Sequence, residues 1–341
     1  MKKIYIVLAL MVVVALLVGG LSCAKPAPEK VYTLRWAGVY PPDKFQEKTF
    51  SVYFINRATE LSNGAIQWEY YPGLQLMGMK EIVDGIAAGT ADGGLAVPAF
   101  YTGKVPLAAI QDLPFLFDTD VEGQVRACQA LIQHPDYTGA FEAVYNIKIL
   151  GGDSQGTNSF YFKEPLTKLE DFKGRKIRAA GKMQSNAINA LGGAAQSLPS
   201  AEVYTALQTG VIDGSQWQPV SAVVNRLYEV TKYAVIPHIS LSGYTWIRVM
   251  NRDAWNSLPK KLQDALIQAE KDTEKYAREV VPKAEEEAID TLEKNGMNIY
   301  YVPREESLRW RDACRPIWDE WLSKNGAKGQ GLLDFMLKEL K

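Results

Sequence analysis

The sequence predicts an α/β protein in which two similar lobes face each other across a ligand cleft. Strand and helix patterns alternate along the chain, a segment of helix, turn and strand occurs twice, and both copies end at a proline that follows the strand. In open α/β sheets, ligands bind beyond the carboxyl ends of the strands. The residues at these two strand ends are therefore the first candidates for a binding site.

The repeated segment aligns residues 79–98 with residues 200–219 without a gap. The matched pairs are Glu81 with Glu202, Ile82 with Val203, Ile86 with Leu207, Gly89 with Gly210, Asp92 with Asp213, Gly93 with Gly214, and Pro98 with Pro219. The residue before each proline, Val97 or Gln218, is restricted to an extended conformation and should end its strand at the cleft. Chance similarity between two helix–turn–strand units is the alternative explanation.

The remaining elements follow from periodicity and from turn residues. The predicted elements are a strand over 32–40, a helix over 44–62 that ends at Asn63-Gly64, a strand over 65–72, a helix over 81–88, strands within 93–98, 151–180, 238–251 and 298–303, and a long charged helix over 260–294 kinked at Pro282. Two amphipathic helices close the chain. One of them is predicted to carry Trp310, Trp318 and Trp321 as core residues.

Composition favours a two-domain protein without a global charge. The 341 residues are 47% hydrophobic, and 38 Lys and Arg nearly cancel 39 Asp and Glu, so no net field favours nucleic acid. The predicted division gives a signal peptide (1–22), a tether (23–30), a first lobe (31–150 plus about 239–283) and a second lobe (151–238 plus about 284–341).

The N-terminus has the pattern of a bacterial lipoprotein signal. Two lysines precede an apolar run from Ile4 to Leu17 that is too short to span a membrane comfortably, and Gly-Leu-Ser-Cys follows, ending at Cys23. Gly20 stands where such signals usually have leucine, so simple cleavage and secretion remains an alternative to lipidation. Either pattern predicts a mature protein in the periplasm or at the outer face of the cytoplasmic membrane.

The sequence offers few groups for a metal or a cofactor. Apart from Cys23, the cysteines are Cys128 and Cys314, and His134 and His238 are the two histidines. An exported compartment permits a disulfide, but two buried thiols are the favoured interpretation. We expect no zinc site and no cofactor.

One enzymatic alternative has a motif. Residues 152–156 fit the GxSxG pattern around Ser154, and Asp213 and His238 follow in the chain order of α/β-hydrolases. A nucleophile elbow needs a helix directly after the serine, whereas the β-branched and aromatic residues of 157–162 predict a strand. This context disfavours a secreted serine hydrolase.

Several short segments resemble one transport family. They are YPGLQL (71–76), LPFLF (113–117), LEDFKGRKIR (169–178), LGG (191–193), SAEVYTALQTGVIDG (200–214), LYEVTKY (227–233) and WNSLP (255–259). Together they resemble the DctP-like solute-binding proteins of tripartite ATP-independent periplasmic (TRAP) transporters, over about residues 31–300. The resemblance implies a periplasmic-binding-protein-like fold in which crossing strands and a long helix join the lobes. It also implies a protein that is not an enzyme, and that captures an organic acid and delivers it to a TRAP membrane permease. A ligand-sensing lipoprotein that serves a receptor is the other alternative.

The same resemblance assigns Arg178 to the ligand carboxylate. A guanidinium presents a planar fork of donors that a carboxylate accepts in a bidentate manner. One branch of the family has asparagine where this chain has Gln218. Another branch binds a metal ion through Glu-Trp and an upstream glutamine, whereas this chain has Gln216-Trp217 and Gln155. Because Gln216 replaces the glutamate whose carboxylate would bind a cation, the sequence argues against a metal ion.

The predicted ligand is a monocarboxylate with an apolar or aromatic body. A second cleft arginine that some relatives have near position 160 is missing, because 154–162 reads SQGTNSFYF. The other predicted substrate-binding residues are Tyr40, Trp217 and Tyr161 as walls, with Val97, Asn158, Gln155, Gln216 and Gln218.

Overall fold

The computed structural model describes residues 30–341. The predicted signal peptide, Cys23 and most of the predicted tether lie outside the described residues. Over the described part of the chain, no helix combines the length and the apolar character that a membrane span requires.

The strands form two separate sheets. In chain order they are β1 (Tyr32–Ala37), β2 (Ile66–Tyr71), β3 (Gly93–Ala96), β4 (Ile147–Ser154), β5 (Ser159–Phe162), β6 (Lys176–Ala179), β7 (Ala194–Ser197), β8 (Gly214–Trp217), β9 (Tyr233–Pro237), β10 (Thr245–Asn251) and β11 (Asn298–Val302). The first sheet has the order β2-β1-β3-β10-β4, and the second has the order β11-β9-β5-β8-β6-β7. We name the first lobe and the second lobe after these sheets.

Helices cover the sheets and connect their strands. They are α1 (Phe45–Glu47), α2 (Tyr53–Leu61), α3 (Ile82–Ala87), α4 (Val121–Gln133), α5 (Pro135–Glu142), α6 (Lys182–Ala190), α7 (Ser200–Thr209), α8 (Pro219–Val224), α9 (Arg252–Ser257), α10 (Lys260–Lys294), α11 (Arg304–Ala313) and α12 (Arg315–Glu339). A π-helical turn, Lys48–Val52, joins α1 to α2, and Gly326 interrupts α12 with a φ of 54°. The structure thus confirms the predicted alternation of strands and helices.

The repeated segment occupies equivalent places in the two lobes. The helices α3 and α7 each end near a glycine in the left-handed region, Gly89 with φ 82° and Gly210 with φ 76°. In the first lobe, the Asp92 carboxylate accepts the backbone N–H of Arg35 at 2.8 Å, and in the second lobe Asp213 accepts that of Lys176 at 2.7 Å. The two sequence segments therefore fold in the same way, and each aspartate ties together an equivalent pair of strands, β1 and β3 in the first lobe and β6 and β8 in the second.

Two chain crossings and one long helix join the lobes. The strand β4 of the first sheet leads directly to β5 of the second, and β9 of the second sheet leads back to β10 of the first. The helix α10 continues past Pro282 and buries Leu266 in a first-lobe core and Leu292 in a second-lobe core. This is the predicted connection by crossing strands and a long helix.

The tryptophans near the C-terminus are buried, as predicted, but they lie on two helices and in two cores. Trp310 of α11 packs with Phe160 and Phe172 of the second lobe. Trp318 and Trp321 of α12 belong to the largest core of the first lobe. The sequence prediction that one helix carries all three was wrong, because the α11 pattern ends at Ala313 and a new helix starts at once. The predicted lobe boundaries stay a prediction.

The two described cysteines are free and buried. Cys128 lies in the core of the first lobe, and Cys314 lies in the core of the second lobe. The interpretation as two separate buried thiols is therefore confirmed.

Candidate functional site

Arg178 lies at the cleft end of β6 and is 4% exposed. Its Nε donates to the carbonyl of Leu198 at 3.2 Å, and its Nη2 donates to Oγ of Ser200 at 3.3 Å. The guanidinium carbon lies 4.9 Å from the centroid of the Trp217 ring. Arg178 pairs in the sheet with Ser215, two residues before Trp217, so both side chains project from the same face.

The guanidinium of Arg178 has no carboxylate partner within residues 30–341. Burial lowers its pKa, and the two groups whose charge opposes that effect are the phenols of Tyr244 and Tyr40. A buried cation without a counter-ion is costly. The arrangement therefore favours an anion that arrives from outside the chain.

Three further aromatic rings form a cluster, and two of them, Tyr40 and Tyr244, lie within electrostatic range of Arg178. Trp246 makes edge contacts with Tyr40 and with Tyr244, and both pairs have ring centroids 6.0 Å apart. Burial raises the pKa of the Tyr40 and Tyr244 phenols, and the charge of Arg178 acts in the opposite direction on both. Tyr40 comes from the first lobe, Tyr244 lies in the segment that crosses from β9 to β10, and Trp246 lies in β10 of the first sheet. The aromatic cluster thus brings the first lobe and the crossing to the arginine of the second lobe.

A buried carboxylate holds the loop that carries Tyr40. Oε2 of Glu47 accepts the backbone N–H groups of Val39 and Tyr40, each at 3.0 Å, and its Oε1 accepts the hydroxyl of Tyr70 at 2.8 Å. A Cβ at Gly38 would lie 2.3 Å from Oε1 of Glu47, so the close approach requires glycine. These contacts fix the loop before any ligand binds.

Buried amides surround the cleft end of the second sheet. Gln155 accepts the indole N–H of Trp246 at 2.9 Å and donates to Oγ of Ser221 at 2.9 Å. Gln216 donates to the side-chain carbonyl of Asn158, and Asn158 donates to Oγ of Ser242 at 2.9 Å.

Two side-chain amide atoms at this end of the sheet are buried and have no hydrogen-bond partner within residues 30–341. They are Nε2 of Gln218 and Oε1 of Gln216. Because buried polar atoms are nearly always paired, these two are candidates for contact with a ligand or with water.

The predicted site residues divide into two groups. Arg178, Trp217 and Tyr40 are close together, and Val97 lines the cavity described next. Tyr161 is fully buried in an apolar cluster with Val203 and Leu207 that also includes Trp217, and its hydroxyl has no partner among the described residues. The structure shows Tyr161 as part of the core of the second lobe.

A cavity of about 790 Å³ lies between the lobes, next to the aromatic cluster that contains Tyr244. First-lobe residues Val97 and Asp112, second-lobe residues Gln184 and Ser197, and the crossing residue Tyr244 line it. Ser197 pairs with Ala179, the residue after Arg178, so the cavity adjoins the arginine strand.

Sequence reasoning missed Tyr244, Trp246 and Asp112. The only signal in the sequence was the pattern of the crossing strand after His238, which contains the first two. Tyr244 has a φ of 33°, a region that bulky residues rarely adopt, and such strain is concentrated at functional positions.

The residues of the hydrolase alternative are not assembled. The Ser154 hydroxyl donates to the carbonyl of Gly243 at 2.5 Å, Asp213 is bonded to the backbone of Lys176, and His238 lies 3.6 Å from Asp118. The strand β5 follows Ser154 after four residues, as the sequence context predicted. None of the three side chains is available to activate another.

Residues 36–325 match the family described as bacterial extracellular solute-binding protein, family 7, or DctP. The chain belongs to this family. The resemblance seen in the sequence is thereby confirmed, and so is the class of protein, an extracellular solute-binding protein of bacteria.

Named relatives and solved structures support the assignment to this family. The C4-dicarboxylate-binding periplasmic protein DctP of Rhodobacter capsulatus is 27% identical over 320 residues, which cover 90% of this chain and 92% of the relative. A TRAP periplasmic solute-binding protein from Desulfovibrio salexigens, solved with bound orotic acid, is 25% identical with a TM-score of 0.77, covering 91% of this chain and 98% of its own.

A Bordetella pertussis receptor, DctP7, shares the fold. It was solved as a protein that binds pyroglutamic acid, and it has a TM-score of 0.80 at 21% identity, covering 90% of this chain and 99% of its own. The predicted two-lobed α/β fold is therefore confirmed.

Proposed function

We propose that this family 7 protein is an extracytoplasmic receptor for a small monocarboxylate. It captures the ligand by closing its lobes and delivers it to the membrane subunits of a TRAP permease, as the resemblance implies. Cys23 carries the lipid that holds the receptor at the membrane surface. The observation that carries the proposal is the buried guanidinium of Arg178, which has no carboxylate partner within residues 30–341.

The ligand carboxylate takes the place of the missing counter-ion. Arg178 stacks on Trp217 and uses Nε and Nη2 in contacts with Leu198 and Ser200, which fix the plane of the fork. A charge-assisted hydrogen bond to this group contributes about 1.5–3 kcal/mol net. The unpartnered Nε2 of Gln218 supplies a further donor at the same strand end.

The lobes have different roles because the repeat gives them different residues at equivalent places. Ala37 occupies in the first lobe the sheet position that Arg178 occupies in the second, since Ala37 pairs with Gly94 and Arg178 with Ser215. Val97 likewise matches Gln218. The second lobe therefore binds the carboxylate of the ligand, whereas Ala37 and Val97 offer only apolar side chains at the equivalent places of the first lobe.

A thermal-shift screen tests the proposal on protein that lacks residues 1–23. A ligand that binds only the native state raises the unfolding temperature by mass action. The panel contains monocarboxylates, dicarboxylates and, as the matched control for each acid, its carboxamide. We expect stabilisation by at least one monocarboxylate and none by its amide. Stabilisation by amides and acids alike would contradict the proposed role of the carboxylate.

A further inference from the structure

Asp112 is a buried acid at the edge of the same cavity. It ends the 3₁₀ turn Pro106–Asp112 of the first lobe, is 3% exposed and lines the cavity together with Val97 and Tyr244. Its Oδ1 accepts Nε2 of Gln184, a residue of α6 in the second lobe, at 3.2 Å. No Lys or Arg of residues 30–341 pairs with it.

Tyr244 connects Asp112 with Arg178. The charge of Arg178 lowers the pKa of the Tyr244 phenol and that of Asp112 raises it, both on top of the larger effect of burial. The phenol therefore lies within electrostatic range of both groups. Tyr244 and Asp112 both line the cavity, whereas Arg178 lies behind its lining and close enough to Tyr244 to act on its charge.

The acid resembles Arg178 in having too few partners. Apart from the Gln111 and Gln184 amides, no group of the described chain stabilises its negative charge, and burial raises the pKa of Asp112 to about 7. A ligand that donates a hydrogen bond to this carboxylate would compensate part of the desolvation.

We propose that Asp112 determines specificity by accepting a hydrogen bond from an N–H or O–H group on the body of the ligand. The preferred ligands are then monocarboxylates that carry a donor away from the carboxylate, such as a lactam, an amine or a hydroxyl. This inference rests on the proposed function, because Arg178 holds the carboxylate end.

Matched pairs of acids test the inference by calorimetry at pH 7.5. Each pair has the same skeleton with and without the donor: pyroglutamate against 3-oxocyclopentanecarboxylate, in which CH₂ replaces the ring N–H, and 3-hydroxybenzoate and 3-aminobenzoate against benzoate. We expect a donor-bearing acid to bind wild-type protein about tenfold or more tightly than its partner, because one charge-assisted hydrogen bond contributes about 1.5–3 kcal/mol. Asp112→Asn should remove most of that difference, because a neutral amide oxygen is a weaker acceptor than a carboxylate.

The controls separate this inference from the proposed function and from a structural role of Asp112. Arg178→Ala should weaken both members of a pair equally. If Asp112→Asn weakened both members equally, the acid would act through the Gln184 contact and the inference would be wrong. It would also be wrong if no donor-bearing acid bound more tightly than its partner. If Arg178→Ala left the affinity for both members of a pair unchanged, the proposed function would be overturned. Thermal unfolding without ligand shows that each variant is folded.

The pH dependence provides a second readout. The ionised carboxylate is the better acceptor, so affinity for the donor-bearing acid should fall as the pH is lowered from 8 to 6, and should be flat in Asp112→Asn. The other titratable groups near Asp112 are Tyr137, Cys128 and Tyr244, and burial raises the pKa of each of them. The other charged residues that line the cavity are Lys80, Lys182, Glu320 and Lys324. The acids themselves stay ionised in this range, because carboxyl pKa values lie near 4. A wild-type affinity that is the same at pH 6 and pH 8 would overturn the inference.

Discussion

Arg178 and Arg248 are both buried, but within residues 30–341 only Arg248 has carboxylate partners. Its Nη2 lies 2.7 Å from Oδ2 of Asp153, and its Nε lies 2.5 Å from Oε2 of Glu270. Burial lowers the pKa of Arg248, yet the two carboxylates outweigh it and the net effect raises the pKa. The two arginines therefore predict opposite mutant phenotypes, one in stability and one in binding.

Arg248→Met should destabilise the protein strongly. Removal of the guanidinium leaves Asp153 and Glu270 buried without a cation, and breaking a buried ion pair costs about 3–5 kcal/mol. Urea unfolding measures the loss. The control is Lys294→Met, whose pair with Asp290 is exposed and spans 3.8 Å, and which should change the free energy of unfolding by less than about 1 kcal/mol. Equal losses in the two variants would contradict a structural role for Arg248.

Trp217 should influence ligand affinity through Arg178. The guanidinium stacks on its indole at 4.9 Å, and a cation–π contact of this kind contributes about 0.5–2 kcal/mol. We expect Trp217→Leu to weaken binding of a carboxylate about three- to thirtyfold by calorimetry, and Trp217→Phe to weaken it less, since a ring remains. Identical affinities of the Phe and Leu variants would show that the ring face is not what supports the arginine.

The repeat made the fold predictable because it preserves the groups that fix the backbone. The Asp-Gly turn of each copy ties two strands together by the same aspartate contact, so a match in sequence meant a match in structure. Lobe organisation and the strand ends at Val97 and Gln218 followed from it.

Other features depend on contacts that no local pattern contains. The alternation of residues along β5 is consistent with Tyr161 as a cleft wall, but residues of helices α7 and α8 pack against it. Periodicity shows which residues share a face of a strand and does not show what packs on that face. Asp112 reaches the cavity only because the lobes meet at Gln184, 72 positions away. The break between α11 and α12 was missed because Arg315-Pro316 starts a new helix without an intervening loop.

The lobes should move relative to each other when ligand binds. Arg178 of the second lobe and Tyr40 of the first lie near each other. Within residues 30–341, two crossings, α10 and the step from α11 to α12 connect the lobes. Hinge closure should therefore reduce the radius of gyration, and small-angle scattering with and without a stabilising acid from the screen measures it. Arg178→Ala with the same acid is the control and should show no change. An unchanged wild-type radius at saturating ligand would count against capture by closure.

Cys23→Ser should release the protein from membranes. The prediction depends on the Gly-Leu-Ser-Cys signal, which lies outside the described residues. Fractionation of cells that express each form gives the measurement, and ligand binding by the released protein should be unaffected. A single acyl chain gives only reversible binding, so firm attachment of the wild type would imply more than one chain. Equal membrane association of the two forms would favour simple secretion followed by another kind of attachment.

Arg178 substitutions give the decisive test of the site. Arg178→Ala should unfold at nearly the same denaturant concentration as wild type, because no carboxylate of the described chain depends on its charge, yet it should abolish or greatly weaken binding. Arg178→Lys should fail nearly as badly, since an ammonium group cannot reproduce the two-pronged geometry or the stacking on Trp217. The carboxamide of the ligand should bind wild-type protein weakly for the complementary reason, because the anionic acceptor is gone. Calorimetry measures the affinity of the acid for wild type, Arg178→Ala and Arg178→Lys, and the affinity of the carboxamide for wild type. Circular dichroism shows whether the variants are folded. If lysine restores affinity, the arginine acts only as a positive charge. Near-wild-type affinity in Arg178→Ala would show that the ligand carboxylate binds elsewhere.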